Sequence, residues 1–303
     1  MHVNDLLKTA VEKGASDLHL KVGSYPMARI HGHLEPVSTE KQLDHEDLVE
    51  MATAIMSTAQ RQKFKDSQEV DLAYSVPGLG RFRCNVFQQR GTVGLVLRVI
   101  PMQIRTIDEL GLPPVLKKIA SEERGLVLVT GSTGSGKSTT LASMIATINA
   151  TRRAHILTVE DPIEFVHSDL QSVISQREVG VDTESFAHAL RSALRQDPDV
   201  ILVGEMRDAI SFQTSISAAD TGHTVISTMH TTSANSSVGR ILEYFKQDER
   251  DTIRRQLAGT LRSVCCQRMV PTAEGGMRPA LEIMINTISI KNSISNPIKY
   301  SFN

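Results

Sequence analysis

The sequence predicts an α/β protein: an N-terminal α+β segment, then a larger segment built on a mainly parallel sheet. Three observations predict it. After residue 120, short apolar runs alternate with helical patterns, as strands joined by helical crossovers do. In "GLVLVTGSTGSGKSTTLASM" (125–144) a glycine-rich loop stands between one such run and a helical stretch. The first hundred residues instead carry the period-two alternation of half-buried strands.

Along that first segment, Val3, Leu6, Leu7, Ala10 and Val11 recur at helical spacing, and Gly14 marks a stop. "ARIHGHLEPV" reads as two strands around a turn at Gly32. From Arg81 the period is two: Phe82, Cys84 and Val86 face one way, and Arg81, Arg83 and Asn85 the other. A turn at Gly91 leads into a further strand, "VGLVLRVI". The proline-rich stretch that follows, "PMQIRTIDELGLPP", marks a boundary. The expected organisation is a domain over 1–100, a linker over 101–118 and a second domain over 119–303.

With 303 residues, 40% hydrophobic and 22% charged, the chain has the composition of an ordinary globular protein of one or two domains. A net charge of −1 excludes a dominant attraction to nucleic acid or anionic lipid. Cys84, Cys265 and Cys266 form no disulfide framework or metal spacing and fit a reducing cytosol. The N-terminus has no signal-peptide pattern, and no stretch has the apolar length of a spanning helix, so membrane contact is expected only through partners.

In the second segment the runs "LVLV" (126–129), "ILTV" (156–159), "VILVG" (200–204) and "TVISTM" (224–229) read as parallel strands. Each ends in polar residues: Thr130 and Gly131, Glu160, Glu205, and His230. Ligands of open parallel sheets bind beyond the carboxyl ends of the strands, so these groups are expected at one edge. Gly131, Ser132, Thr133, Gly134, Ser135, Gly136, Lys137 and Ser138 match G-x-x-x-x-G-K-[ST] in full, and Thr139 follows inside the helix. The glycines let backbone N–H groups converge on phosphate oxygens, and the helix start adds its positive end. Lys137 is placed to reach the β/γ oxygens and the Ser138 hydroxyl to ligand Mg²⁺. Hydrolysis further needs carboxylates. Glu160, Asp161 and Glu164 follow one strand, and Glu205 follows another. His230 at a strand's end is suited to meet a γ-phosphate.

"TGSTGSGKSTT", "EDPIEF", "QREVG", "LRQDPDVILVGEMRD" and "AADTGHTVISTMHT" resemble, in order, the Walker A, Asp, Walker B and His boxes of the secretion ATPases. "KGASDLHL" and "GRFRCNVFQQRG" resemble the branch of type IV pilus retraction ATPases. The resemblance runs from the N-terminus to about residue 285. It implies a PAS-like N-terminal domain, a RecA-like P-loop NTPase domain and a homohexameric ring that hydrolyses ATP with Mg²⁺. It implies Glu164 as the catalytic glutamate, Glu205 as the Walker B glutamate that also faces the metal with Ser138, and His223 and His230 as the His-box pair. ATP would lie between the domains and be completed by a neighbouring subunit's arginines, with Arg83 and Arg98 the leading candidates and Arg81 and Arg90 behind them. Arginines on a solvated strand face have the same spacing, so alternation alone does not separate the two readings. The implied partners are a pilus inner-membrane platform protein and, through it, pilin, at the cytoplasmic side of the pilus base. The competing reading, a RecA-like nucleic-acid translocase, lacks a basic surface with aromatics: aromatics are 4% of residues and Trp is absent.

Two positions depart from the family. Asp220 stands where the branch carries Glu before Thr-Gly-His, and "SIKNSISN" (289–296) stands for A-I-R-N-L-I-R-E. With Ser289, Ser293, Ser295 and Pro297 interrupting Ile288, Ile294 and Ile298, a short helix at most is expected after Asn286. The end of the second domain is thus expected to be divergent or truncated, which bears on motor coupling rather than on hydrolysis.

Overall fold

The two kinds of patterning fold into two kinds of sheet. A computed structural model describes residues 2–101, 103–273 and 275–296. The chain divides into two compact units, Met1–Met102 and Gln103–Asn303.

The first unit runs α1 (Val3–Glu12), β1 (Asp17–Lys21), β2 (Met27–Ile30), β3 (His33–Pro36), α2 (His45–Ile55), α3 (Thr58–Ser67), β4 (Glu69–Val76), β5 (Gly80–Gln89) and β6 (Thr92–Ile100). Its strands form an antiparallel sheet in the order β3-β2-β1-β6-β5-β4. The alternation seen from Arg81 decides its faces. Phe82, Cys84 and Val86 are buried in a core with Leu95 and Leu97, under Leu6, Leu7, Leu48 and Met51 of the helices. Arg83 lies on the opposite face, paired in register with Arg98.

The second unit runs α4 (Val115–Ala120), β7 (Gly125–Thr130), α5 (Lys137–Thr151), β8 (His155–Glu160), β9 (Val173–Glu178), α6 (Phe186–Ala193), β10 (Val200–Val203), α7 (Ala209–Asp220), β11 (Thr224–Met229), α8 (Ala234–Glu243), α9 (Arg250–Thr260), β12 (Leu261–Pro271), β13 (Met277–Ile285) and α10 (Ile288–Ser295). The sheet order is β13-β12-β7-β11-β10-β8-β9, parallel throughout except for the β12–β13 hairpin. Strands covered on both faces favour apolar residues at consecutive positions, as at 126–129 and 200–203, while the buried Ser227 and Thr228 hydroxyls of β11 donate to the carbonyls of Val203 and Gly204. Leu126 and Leu128 pack on one side with Phe212, Ile216 and Leu257. Val127 and Val129 pack on the other with Met144, Ile145 and Ile148 of α5.

Of the 101–118 stretch read as a linker, residues from Gln103 belong to the second unit. Ile107, Leu112 and Leu116 are buried in the core beneath α5, so the prolines there shape a packed turn rather than a free tether. At the other end α10 is eight residues long, capped by the Thr287 hydroxyl. Ile294 is buried, while the Ser293 hydroxyl donates back to the Ser289 carbonyl. Ile298 and Pro297 lie outside the described residues.

Candidate functional site

Because β7, β11, β10 and β8 are parallel neighbours, their carboxyl ends share one edge of the sheet. A cavity of about 520 Å³ opens there. Thr133, Gly134, Gly136, Lys137, Ser138 and Thr139 line one side of it, and Glu160, Glu164, Glu205, Arg207 and His230 the other. The strand ends read from the sequence therefore converge on one ligand volume.

The loop between β7 and α5 owes its shape to glycines where no Cβ fits. Gly131 has φ +144°, and a Cβ there would lie 2.2 Å from the Gln267 carbonyl oxygen. Gly136 has φ +85° and would place a Cβ 2.9 Å from Gln267 Nε2. Helices α2, α3, α6, α7 and α8 have side-chain caps on their first-turn N–H groups, whereas α5, like α4 and α9, has none and starts at Gly136. Its uncapped N–H groups and dipole are left for an anion. Ser135, expected to meet the ligand, is instead buried beneath the loop, with its hydroxyl unpartnered. Ser132 lies outside the cavity lining and contributes its carbonyl to Lys137.

Lys137 Nζ donates to the carbonyls of Gly131 (2.9 Å) and Ser132 (3.0 Å), which holds the ammonium over the loop. Burial lowers its pKa, while the charges of Glu205 and Glu164 oppose the shift. The geometry fits a phosphate chain: convergent N–H groups, an ammonium above them, and a Ser138 hydroxyl one residue on.

The three glutamates differ. Glu160 accepts from the Thr158 hydroxyl (2.7 Å) and Gln176 Nε2 (3.2 Å), and burial pushes its carboxyl up. Glu205 Oε2 accepts from Arg207 Nη2 at 2.6 Å, and its Oε1 lies 3.3 Å from His230 Nε2. Burial works to raise the Glu205 carboxyl, but the Arg207 hydrogen bond and charge hold it below its ordinary range. The place of Glu205 follows from Gly204, whose N–H donates to the Val159 carbonyl (2.7 Å). A Cβ there would come 3.2 Å from the Val159 carbonyl oxygen and 3.3 Å from Glu160 Cα, a tight fit that glycine relieves where the ends of β10 and β8 meet. Glu164 stands exposed at the cavity's lip, and no side chain pairs with its carboxylate among the described residues.

The two histidines part company. His230 faces Glu205, but His223 precedes β11 at the opposite end of the strand, with Nδ1 on the Ala218 carbonyl at 2.9 Å. Arg83 and Arg98 belong to the first unit. There Arg98 Nε donates to the buried carboxylate of Asp17 at 2.8 Å. Sequence reasoning missed a second cavity, of about 270 Å³, which shares Gly136 and Thr139 with the first. Arg105, Leu110, Met269 and Met277 line it, brought together by the packed 103–114 stretch and the β12–β13 hairpin.

The loop's shape can be tested through Gly131. A Gly131→Ala chain must move the loop or β12, which is expected to cost about 2–3 kcal/mol. Its melting midpoint should fall by several degrees relative to the parent.

The sequence profile described as Type II/IV secretion system protein matches residues 1–290. A Pseudomonas aeruginosa protein named Type IV pilus retractation ATPase PilT is 46% identical over 97% of this chain and 85% of its own length. A Neisseria gonorrhoeae twitching motility protein is 45% identical over 89% of this chain and 72% of its own. The crystal structure of the pilus retraction motor PilT with bound ADP superposes with a TM-score of 0.91 at 44% identity, covering 98% of this chain and 87% of that one. These likenesses span both sheets, and the phosphate-shaped loop lies within them. The chain belongs to the Type II/IV secretion system protein family.

Proposed function

We propose that this chain is a Mg²⁺-dependent ATPase motor of type IV pilus retraction, working as a homohexamer. The observation that carries this reading is the single cavity gathering the phosphate loop, Glu164, Glu205 and His230. The names of its relatives, a pilus retraction ATPase and a twitching motility protein, support the process it serves. Triphosphate lies along Ser132–Thr139, with its β/γ oxygens on Lys137 and the N–H groups of α5. The nucleoside extends past Thr139 into the second cavity. Ser138 and Glu205 would hold Mg²⁺, which when bound would neutralise phosphate charge. Glu164 accepts the proton of the attacking water, and His230 meets the γ-phosphate from the end of β11. Arg83 and Arg98, side by side on an exposed sheet face, complete the site of a neighbouring copy. The motor acts from the cytoplasmic side of the inner membrane at the pilus base, through a platform protein on pilin. Among the described residues no helix is long and apolar enough to cross a membrane, so contact with the bilayer would run through that partner.

Completion by a neighbour has a direct test. ATPase activity per chain is expected to rise with protein concentration. Chains carrying Arg83→Ala, inactive alone, should regain activity when mixed with inactive Glu164→Gln chains, because mixed interfaces restore intact sites. Phosphate release that stays at zero at every mixing ratio, with mixed rings shown by mass, would place completion within one chain.

A further inference from the structure

β12 carries an anomaly. Its residues Val264, Cys265 and Cys266 are buried and weakly polar or apolar, yet the next residue, Gln267, is a primary amide only 3% exposed. A buried amide is costly unless its donor and acceptor are both used. Here both are, and both partners belong to the phosphate loop and its helix. Nε2 donates to the Ser135 carbonyl at 2.6 Å, and Oε1 accepts from the Thr140 hydroxyl at 2.8 Å. The amide's orientation follows from chemistry: a carbonyl only accepts, so the nitrogen must face Ser135.

Register explains why this residue reaches the loop. β12 runs parallel to β7 with Cys266 opposite Thr130, so Gln267 comes one residue past the last pair, where β7 turns into the loop. The two glycines closest to it, Gly131 and Gly136, are those whose Cβ would strike the Gln267 carbonyl and amide. Gly131 thus makes room for the backbone of Gln267, and Gly136 for its side chain.

We propose that Gln267 is a positioning residue for nucleotide phosphate: a strut that holds the Ser135 peptide and the first turn of α5 so that the loop's N–H groups stay convergent. The proposal rests on the reading of residues 131–139 as the phosphate site. The strut acts on binding of di- and triphosphate alike, because the β-phosphate that the first turn of α5 meets is present in both. It touches neither water nor γ-phosphate, so turnover at saturation is unaffected.

The test uses the full chain and three substitutions. Gln267→Met keeps the volume and removes both hydrogen bonds. Thr140→Val removes one partner while leaving Gln267 in place, and serves if the first variant folds poorly. Gln267→Glu keeps the acceptor for Thr140 but sets an oxygen against the Ser135 carbonyl. Binding of a fluorescent ADP, ATPase KM and kcat, and thermal midpoint are measured for each. Gln267→Met is expected to weaken ADP binding and raise KM about tenfold or more, with kcat within about twofold, and Thr140→Val to do the same to a smaller degree. Gln267→Glu should show a signature that loss of packing cannot produce. Its buried carboxyl takes up a proton more readily than a free one, and the protonated form donates to Ser135 again. Its ADP affinity relative to the parent should therefore recover as pH falls from 8 to 6. Arg105, Glu109 and Arg278 line the adjoining cavity in parent and variant alike, so they enter both sides of the ratio. Parental ADP affinity in folded Gln267→Met or Thr140→Val chains, whatever their thermal midpoints, overturns the proposal. So does a Gln267→Glu ratio that is flat with pH. Failure of the parent itself to bind ADP would instead overturn the phosphate-site reading.

Discussion

A Lys137→Ala chain is expected to lose tight ATP binding, by about 100-fold or more in Kd. Among the described residues the Lys137 ammonium is the side-chain cation tied directly to the loop, through the carbonyls of Gly131 and Ser132. A hydrogen bond between charged partners contributes about 1.5–3 kcal/mol, and a point charge shared by two phosphate groups exceeds a single such bond. Alanine also leaves two loop carbonyls without their donor and lets water into the position. Isothermal titration of the folded variant with ATP measures the loss. Arginine is no substitute, since its planar fork is longer and cannot occupy the space of a compact ammonium. A Lys137→Ala chain that binds ATP within a few-fold of the parent would move the phosphates away from this loop.

The parts of this site differ in how far the amino-acid sequence reveals them, and the reason is range. The strands at 126–129, 156–159, 200–203 and 224–229 are visible because burial on both faces draws apolar and small or β-branched residues to consecutive positions, a local requirement. The loop is visible because close backbone packing demands glycine at fixed offsets. Gln267 is invisible for the opposite reason. Its partners Ser135 and Thr140 lie 132 and 127 residues away, and "VCCQRMV" has neither a clean period nor a motif. The stretch from 103 to 114 misleads through composition: its prolines signal a tether, while Ile107 and Leu112 are the anchors that pack it. His223 and His230 read as a pair, yet a six-residue strand between them carries each to its own end of the sheet. Gly204 before Glu205 looks like a departure from a strand ending in Asp, and only the contact with β8 shows what the glycine permits.

The same geometry separates the roles of the carboxylates and predicts the largest effect on turnover. Glu160 is buried and engaged, with both the Thr158 hydroxyl and Gln176 Nε2 donating to its Oε1, so its carboxyl is tied to β8 and β9 rather than left open to a water. Glu205, whose carboxyl is held below its ordinary range by Arg207, has both oxygens against Arg207 and His230, which on the proposed reading suits it to the metal rather than to a water. Glu164 alone of the three combines a place on the cavity wall with a carboxylate that no side chain pairs with among the described residues. A Glu164→Gln chain is thus expected to bind ATP within a few-fold of the parent and to turn it over about 100- to 1000-fold more slowly, because an amide orients water but does not accept its proton. Glu160→Gln should keep its hydrogen bond from Thr158 and slow turnover far less. Glu205→Gln should weaken Mg²⁺-dependent binding as well as kcat, since it removes the charge set against Ser138. Single-turnover phosphate release, measured on each variant with bound ATP quantified beforehand, separates the three. Parental turnover by Glu164→Gln, alongside a collapse of turnover without loss of Mg²⁺ affinity in Glu205→Gln, would transfer the proton-accepting role to Glu205.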